Sequence, residues 1–307
     1  MKISIQTGDI VDRLGLETGY KAIYDAGFRG IDWNLDHAWK GSVIRTGDYI
    51  GKCIFEKSID EVKAHYQHEL DIIKANNLEI TQAHAPFPAY TDGMPETLDY
   101  AIGVYKRLIE YCGYAGCKNL VIHGISYKLG DKFSPEYIAD MNKKLYTSLI
   151  PELLESGVTV CLENLFTGYN GVCYQGHCSY PEQAAKEIDE LNKIAGKEVF
   201  GFCLDTGHAN LLHHDIRTFI KVLGKRIKCL HIHDNNGQND QHMGPLTGTL
   251  DWGNFCDAMH EIGYDHDLSF ETFAQTNKVM DFCEEAVYPW MKLIYETGEL
   301  FRKRIEW

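Results

Sequence analysis

The chain has 307 residues, 44% of them hydrophobic, and a formal charge of -14 at pH 7. That length and apolar share can bury a large core without a disulfide staple or a partner, and they suit one barrel over residues 1–307 better than two or three small domains. The carboxylate surplus works against adsorption to nucleic-acid phosphates or anionic membranes, both of which rely on Lys and Arg, while leaving room for a local basic groove.

The opening MKISIQTGDI lacks the apolar stretch of a signal peptide, and no run approaches the ~20 apolar residues of a membrane span. A cytoplasmic protein without membrane association is the expectation. Cys53, Cys112, Cys117, Cys161, Cys203, Cys229 and Cys256 are scattered through apolar patterns without zinc-knuckle spacing and read as small reduced core residues. Cys173 and Cys178 lie in the Gly-rich loop GYNGVCYQGHCSY with His177 between them, where four convergent ligands for a metal knuckle are not visible.

Short runs rich in Val, Ile and Leu alternate with longer helical patterns along the whole chain. In order, the predicted strands are 2–7, 30–34, 78–84, 119–124, 159–164, 200–206, 228–234 and 267–273. The intervening helices carry apolar residues at three-to-four spacing, as in EVKAHYQHELDIIKANN and YAIGVYKRLIEYCGYAG. Ser58 and Asp60 mark the start of one helix, and Ser134-Pro135 opens another. Eight strand-helix units with no low-complexity linker, and no GxGxxG after the first strand, predict a closed parallel (β/α)8 TIM barrel rather than an open nucleotide-binding sheet.

The active site of such a barrel lies at the C-terminal ends of its strands. Here the third to eighth strands end in His84, His123, Glu163, Asp205, His231 with His233, and Glu271. One such residue is usually held by a loop hydrogen bond; six strands in phase are hard to explain as loop support. Carboxylates and imidazoles, with no cysteine in phase, suit a divalent ion such as Mn²⁺, Zn²⁺, Co²⁺ or Mg²⁺. A cation also relieves the repulsion among Glu163, Asp205 and Glu271. Trp33 and Asn34 end the second strand, and Phe87, Tyr90 and Trp252 sit in adjoining loops, giving aromatic surface on which a ring-shaped ligand could stack; packing is the competing reading for each.

The motifs AHAPF at 83–87, VIHG at 121–124, LEN at 162–164, LDTGHAN at 204–210, LHIHDN at 230–235, GTLDW at 248–252 and SFET at 269–272 resemble the xylose isomerase-like barrels over nearly the whole chain. That superfamily includes sugar epimerases, inosose dehydratases and metal-dependent apurinic endonucleases. The resemblance to its ketose 3-epimerases implies an ion held by Glu163, Asp205, His231 and Glu271. It also implies Glu163 and Glu271 as the acid and base that move a proton next to a carbonyl through a metal-stabilised enediolate. Because His231 and His233 share one strand face, the choice between them stays open. His231 is preferred because Asp234 follows three residues on, which leaves His233 as a substrate or supporting group. His208 resembles a histidine that binds a substrate oxygen, and equally suits a helix cap.

The resemblance carries a rival. The trinuclear-zinc apurinic endonucleases use nine ligands in an order that His84, His123, Glu163, Asp205, His208, His231, Asp240, His242 and Glu271 all match. The net charge and the lack of a basic loop speak against a nucleic-acid substrate. A third reading is the catalytic subunit of a carbon-glycoside deglycosidase, which uses the same four ligands and needs a partner subunit. A small sugar, sugar phosphate or polyol is the expected substrate. Relatives form homo-oligomers, though no apolar face here marks an interface.

Overall fold

The computed structural model describes residues 1–35, 51–91, 93–128 and 133–307. Residues 36–50 of the expected substrate-shaping loop at 36–58 lie outside the described residues.

In chain order the strands are β1 (Ile3–Gln6), β2 (Gly30–Asn34), β3 (Glu79–His84), β4 (Asn119–Val121), β5 (Thr159–Glu163), β6 (Phe166–Tyr169), β7 (Val172–Gln175), β8 (Phe200–Asp205), β9 (Ile227–His231) and β10 (Leu268–Phe270). Eight of them form one parallel sheet in the order β10-β1-β2-β3-β4-β5-β8-β9. The ring closes between its ends: Ile232 N donates to Ser269 O at 2.8 Å, and Glu271 N donates to Ile232 O at 3.1 Å. Each predicted strand is present, shortened at one or both ends except at 30–34. The shortening leaves His123, His233 and Glu271 just beyond the ladder; the first and last of them line the cavity at the mouth.

The helices start where local chemistry dictates. Ser58 accepts from Glu61 N while Glu61 reaches back to Ser58 N, a reciprocal cap on the helix Ile59–Ala75. Ser134 caps the helix Pro135–Thr147, whose first position is the proline that needs no N–H there. The Gly-rich segment read as a loop contains β6 and β7, an antiparallel hairpin joined by Asn170-Gly171. Both turn residues have positive φ, 51° and 75°, which Asn-Gly tolerates and a two-residue hairpin turn requires.

Because side chains alternate across a strand, the residue two before each rim group belongs to the layer beneath the mouth. That layer is soft on one side, where Val121, Cys161, Cys203 and Cys229 cluster apart from the main core. On the other side it is polar: Gln82 Nε2 donates to Asp32 Oδ2 at 2.7 Å and to Leu230 O at 3.2 Å. All ten cysteines are free. Among the described residues no helix is long and apolar enough to cross a membrane.

Candidate functional site

A cavity of about 540 Å³ opens at the C-terminal mouth and is lined by Asn34, His84, Phe87, His123, Glu163, His208, Asp240, His242 and Glu271, among others. Its floor is a web of acids and imidazoles. His231 Nδ1 lies 3.3 Å from Glu163 Oε2 and 3.7 Å from Glu271 Oε2, so the two glutamates converge on one ring nitrogen. Its other nitrogen faces Asp32 Oδ2 at 3.3 Å. His233 turns instead to Asp205, with Nε2 2.9 Å from Oδ2, and stacks on His242 at 3.9 Å. His231, not His233, therefore stands between the glutamates.

Two further clusters adjoin. His84 Nε2 and His123 Nε2 are 3.0 Å apart, and His123 Nε2 is 2.9 Å from Glu163 Oε2. On the opposite side Asp240 Oδ2 lies 3.1 Å from His242 Nε2 and 3.9 Å from His208 Nε2. Asp205 joins the sets: Oδ2 lies 3.6 Å from His208 Nδ1, while Oδ1 accepts from His208 N at 2.6 Å and caps the helix Thr206–Leu211.

Several imidazoles are oriented by an acceptor on their far nitrogen. His84 Nδ1 lies 2.8 Å from Ala85 O, His208 Nδ1 2.9 Å from Asn164 O, and His242 Nδ1 3.1 Å from Glu271 O. A carbonyl only accepts, so each Nδ1 carries a proton and each Nε2 faces inward, where it offers a lone pair once its own proton leaves, the arrangement a metal-ligating histidine needs. His231 Nδ1, His231 Nε2 and His233 Nδ1 are buried without a hydrogen-bond partner. Orphaned nitrogens beside carboxylates fit a cation at this point, and the donor set of O and N atoms fits a divalent one. Several His, Asp and Glu triads here have ligand atoms within 4.8 Å of one another.

The charges compensate one another. Burial alone would raise the Glu163 carboxyl, but the His231 and His123 imidazoles hold it well below the usual carboxylate range. Asp205 and Asp240 are likewise lowered against burial, by His208 with His233 and by His208 with His242. Burial alone would lower His231 and His208, yet Cys203, Glu271 and Glu163 raise the first, and Asp205, Asp240 and Glu163 raise the second, both well above the ordinary value. His84 and His242 are raised too, against burial, chiefly by Glu163 and by Glu271. Only burial wins at His123, which is lowered.

The structure removes two aromatics from the substrate-facing set. Trp33 is 0% exposed and points out to the helix layer, with Nε1 2.9 Å from Glu69 Oε1 and its ring edge-on to Tyr66. Adjacent strand residues face opposite sides, so Trp33 and Asn34 cannot both reach the mouth, and Asn34 does. Trp252 is buried, donates Nε1 to Asp234 Oδ2 at 2.9 Å and stacks on Phe301. Asp234 thus ties down the 248–252 loop, accepting also from Gly248 N and Leu250 N, instead of marking a ligand. Tyr90 packs against Phe133. Trp33→Phe is expected to lower stability by about 1–3 kcal/mol through lost packing and one lost hydrogen bond, with turnover within about threefold of wild type. A denaturant melt beside an activity assay checks this.

The strand-end pattern alone does not single out Asp32, Gln82 or Asn164, and it places no cysteine at the rim. Cys203 is in phase with Asp205, and its sulfur lies within 4.8 Å of ligand atoms of Glu163 and His231. Asn164 clasps Asp205 through both backbone groups, at 2.8 and 2.9 Å. The signal for Asp32 was available: it stands two before Asn34 on the same face.

A family profile described as xylose isomerase-like TIM barrel matches residues 20–304. A ketose 3-epimerase from Arthrobacter globiformis is 25% identical over 201 residues, which span 64% of this chain and 62% of that enzyme. A putative xylose isomerase from Rhodospirillum rubrum superposes with a TM-score of 0.72 at 16% identity, covering 98% of this chain and 99% of that one. D-psicose 3-epimerase from Clostridium cellulolyticum H10, solved with D-tagatose, gives 0.68 at 14% identity, with 98% and 99% covered. At those identities the two structures speak for the fold alone. With the profile spanning most of the barrel, the chain belongs to the xylose isomerase-like TIM barrel family.

Proposed function

We propose that this protein is a divalent-metal-dependent sugar isomerase or epimerase, with the barrel as its catalytic unit and proton transfer beside a carbonyl as its reaction. One observation carries the reading: Glu163 and Glu271 both border the cavity and both lie within 3.7 Å of His231 Nδ1, so paired carboxylates meet at a single point. The similarity to a ketose 3-epimerase supports the same reading. Glu163, Asp205, His231 and Glu271 would hold the ion. Bound there, Mn²⁺, Zn²⁺, Co²⁺ or Mg²⁺ would supply Lewis acidity to a substrate carbonyl and so make the neighbouring C–H more acidic.

The rest falls to the chain. One of the two glutamates takes the proton from one face of the carbon, and the other returns one to the opposite face. His123, 2.9 Å from Glu163 Oε2, orients that carboxylate. Asn34 and His208 offer polar contacts to sugar oxygens, while Phe87, Phe166 and Phe273 line the wall and limit water. A neutral polyhydroxy ligand suits the acidic surface. Ten free cysteines suit a reducing compartment, in keeping with the cytoplasm.

A second reading, metal-assisted phosphodiester cleavage, is favoured by the two clusters beside the central one, His84-His123-Glu163 and His208-Asp240-His242, each of a size to hold an ion. Ketoses incubated with the metal-loaded protein in deuterated water separate the two. Deuterium at the carbon next to the carbonyl, without cleavage of an abasic oligonucleotide, is the expected result. Three zinc ions per chain with oligonucleotide cleavage, and no exchange into any ketose, would transfer the assignment to the nuclease.

A further inference from the structure

The segment that leaves β7 for the helix Pro181–Ala195 gathers a thiol, an imidazole and a carboxylate that have no part in the barrel mouth. His177 Nε2 lies 3.1 Å from both carboxylate oxygens of Glu187. Cys178 Sγ lies 3.6 Å from His177 Nε2 and 3.7 Å from Glu187 Oε2. We propose that His177, Cys178 and Glu187 form a second cation site, separate from the mouth, which takes a zinc-class divalent ion.

The edges of this triangle carry the argument. With Zn–S near 2.3 Å and Zn–N or Zn–O near 2.0–2.1 Å, a tetrahedral ion sets its sulfur about 3.6 Å from each N or O ligand, and N about 3.3 Å from O. The three observed separations match one face of that tetrahedron. A His–Glu ion pair alone would explain the 3.1 Å contacts, but it gives no reason for a thiol seated against both partners. All three residues border a groove of about 940 Å³ on the outside of the barrel, which leaves the fourth vertex for water or a small ligand.

The imidazole is held in place for this geometry. Its backbone N donates to Ser126 Oγ at 2.9 Å, and its ring lies nearly parallel to Tyr146. The side chain is only 7% exposed, with Nε2 as the nitrogen that faces Glu187 and Cys178. Gly124 makes room for the ring: a Cβ there would come within 2.2 Å of Nδ1. Cys178 occupies the left-handed region at φ 56°, an unfavourable place for a side chain that does nothing.

A thiolate in the set selects zinc-like ions over Mg²⁺. Binding releases the Cys178 thiol proton to solvent and leaves the metal joining the hairpin end to the helix through Glu187.

Cobalt(II) added to the full-length protein tests the site. Wild type should show a thiolate-to-cobalt charge-transfer band, which Cys178→Ser should lose together with one bound ion per chain. Cys203→Ser, which alters the thiol nearest the mouth, should keep the band. An unchanged spectrum and stoichiometry in Cys178→Ser, or no thiolate band in wild type, overturns the proposal. Should Cys178→Ser fail to fold, alkylation of the wild type followed by peptide mass spectrometry decides. Zinc should slow modification of Cys178 at least tenfold and leave Cys173 unchanged; equal slowing at both cysteines, or at neither, overturns it.

Discussion

Glu271→Gln is expected to reduce solvent exchange into a ketose substrate by about 10²–10⁴-fold, the range that a positioned acid or base supplies, while the barrel stays folded. Gln keeps the shape of the side chain and its reach toward His231, but cannot take up a proton. Glu271 sits at the cavity wall at 8% exposure, and its backbone carbonyl, which orients His242, is untouched by the change. Glu163→Gln should cost as much exchange and more besides. Glu163 is enclosed at 1% exposure and lies within 4 Å of nitrogens on His84, His123, His208 and His231. Removing its charge leaves those imidazoles without their shared counter-charge, so ion retention and thermal stability fall together. Metal content, melting temperature and exchange rate measured on both variants separate the two roles. Turnover of Glu271→Gln within threefold of wild type would remove it from the chemistry.

The barrel was legible because two periodicities, near 3.6 and near 2, alternate eight times, and each rim residue ends an apolar run. The convergence of Glu163, His231 and Glu271 followed from the same rule, since residues at the ends of neighbouring strands must share one mouth. Parity explains the failures. Trp33 has the ring that suggests stacking, yet it is one residue out of phase with Asn34, and the in-phase residue beneath the mouth is Asp32. Cys203 is core, as expected, and the alternation that buries it also puts it on one face with Asp205. The hairpin at 166–175 carried an Asn-Gly signal inside a segment whose glycines read as loop. What no pattern could reveal is which nitrogen of each histidine faces inward, because Ala85 O, Asn164 O and Glu271 O are backbone acceptors placed only by the tertiary fold.

Loading the mouth with Mn²⁺ or Zn²⁺ should raise stability by about 4 kcal/mol at a free ion concentration a thousandfold over the dissociation constant, and should flatten the fall in stability toward alkaline pH. In the chelated protein His84, His208, His231 and His242 are raised, so their contribution is complete below the unfolded value near 6.5 and is lost as pH climbs through the folded values. Glu163, Asp205 and Asp240 are lowered, so theirs is present above about pH 4 and is lost only as pH falls through the lowered values. His123, lowered by burial, works against the other imidazoles, but it is one group against four. The chelated protein should therefore melt highest between about pH 4.5 and 6.5 and lose stability toward pH 9. A ligand histidine must give up its proton to bind an ion, so each one that does makes affinity rise about tenfold per pH unit below its folded value. Above about pH 6.5 that rise in affinity cancels the loss at each ligand histidine, so the loaded protein should fall less steeply than the chelated one, and it should gain stability with pH only below about 6.5, where the unfolded histidine still holds its proton. Melting curves from pH 5 to 9, with chelator and with excess ion, check both arms; coincident curves at pH 7.5 would mean that the carboxylates at the mouth bind no metal.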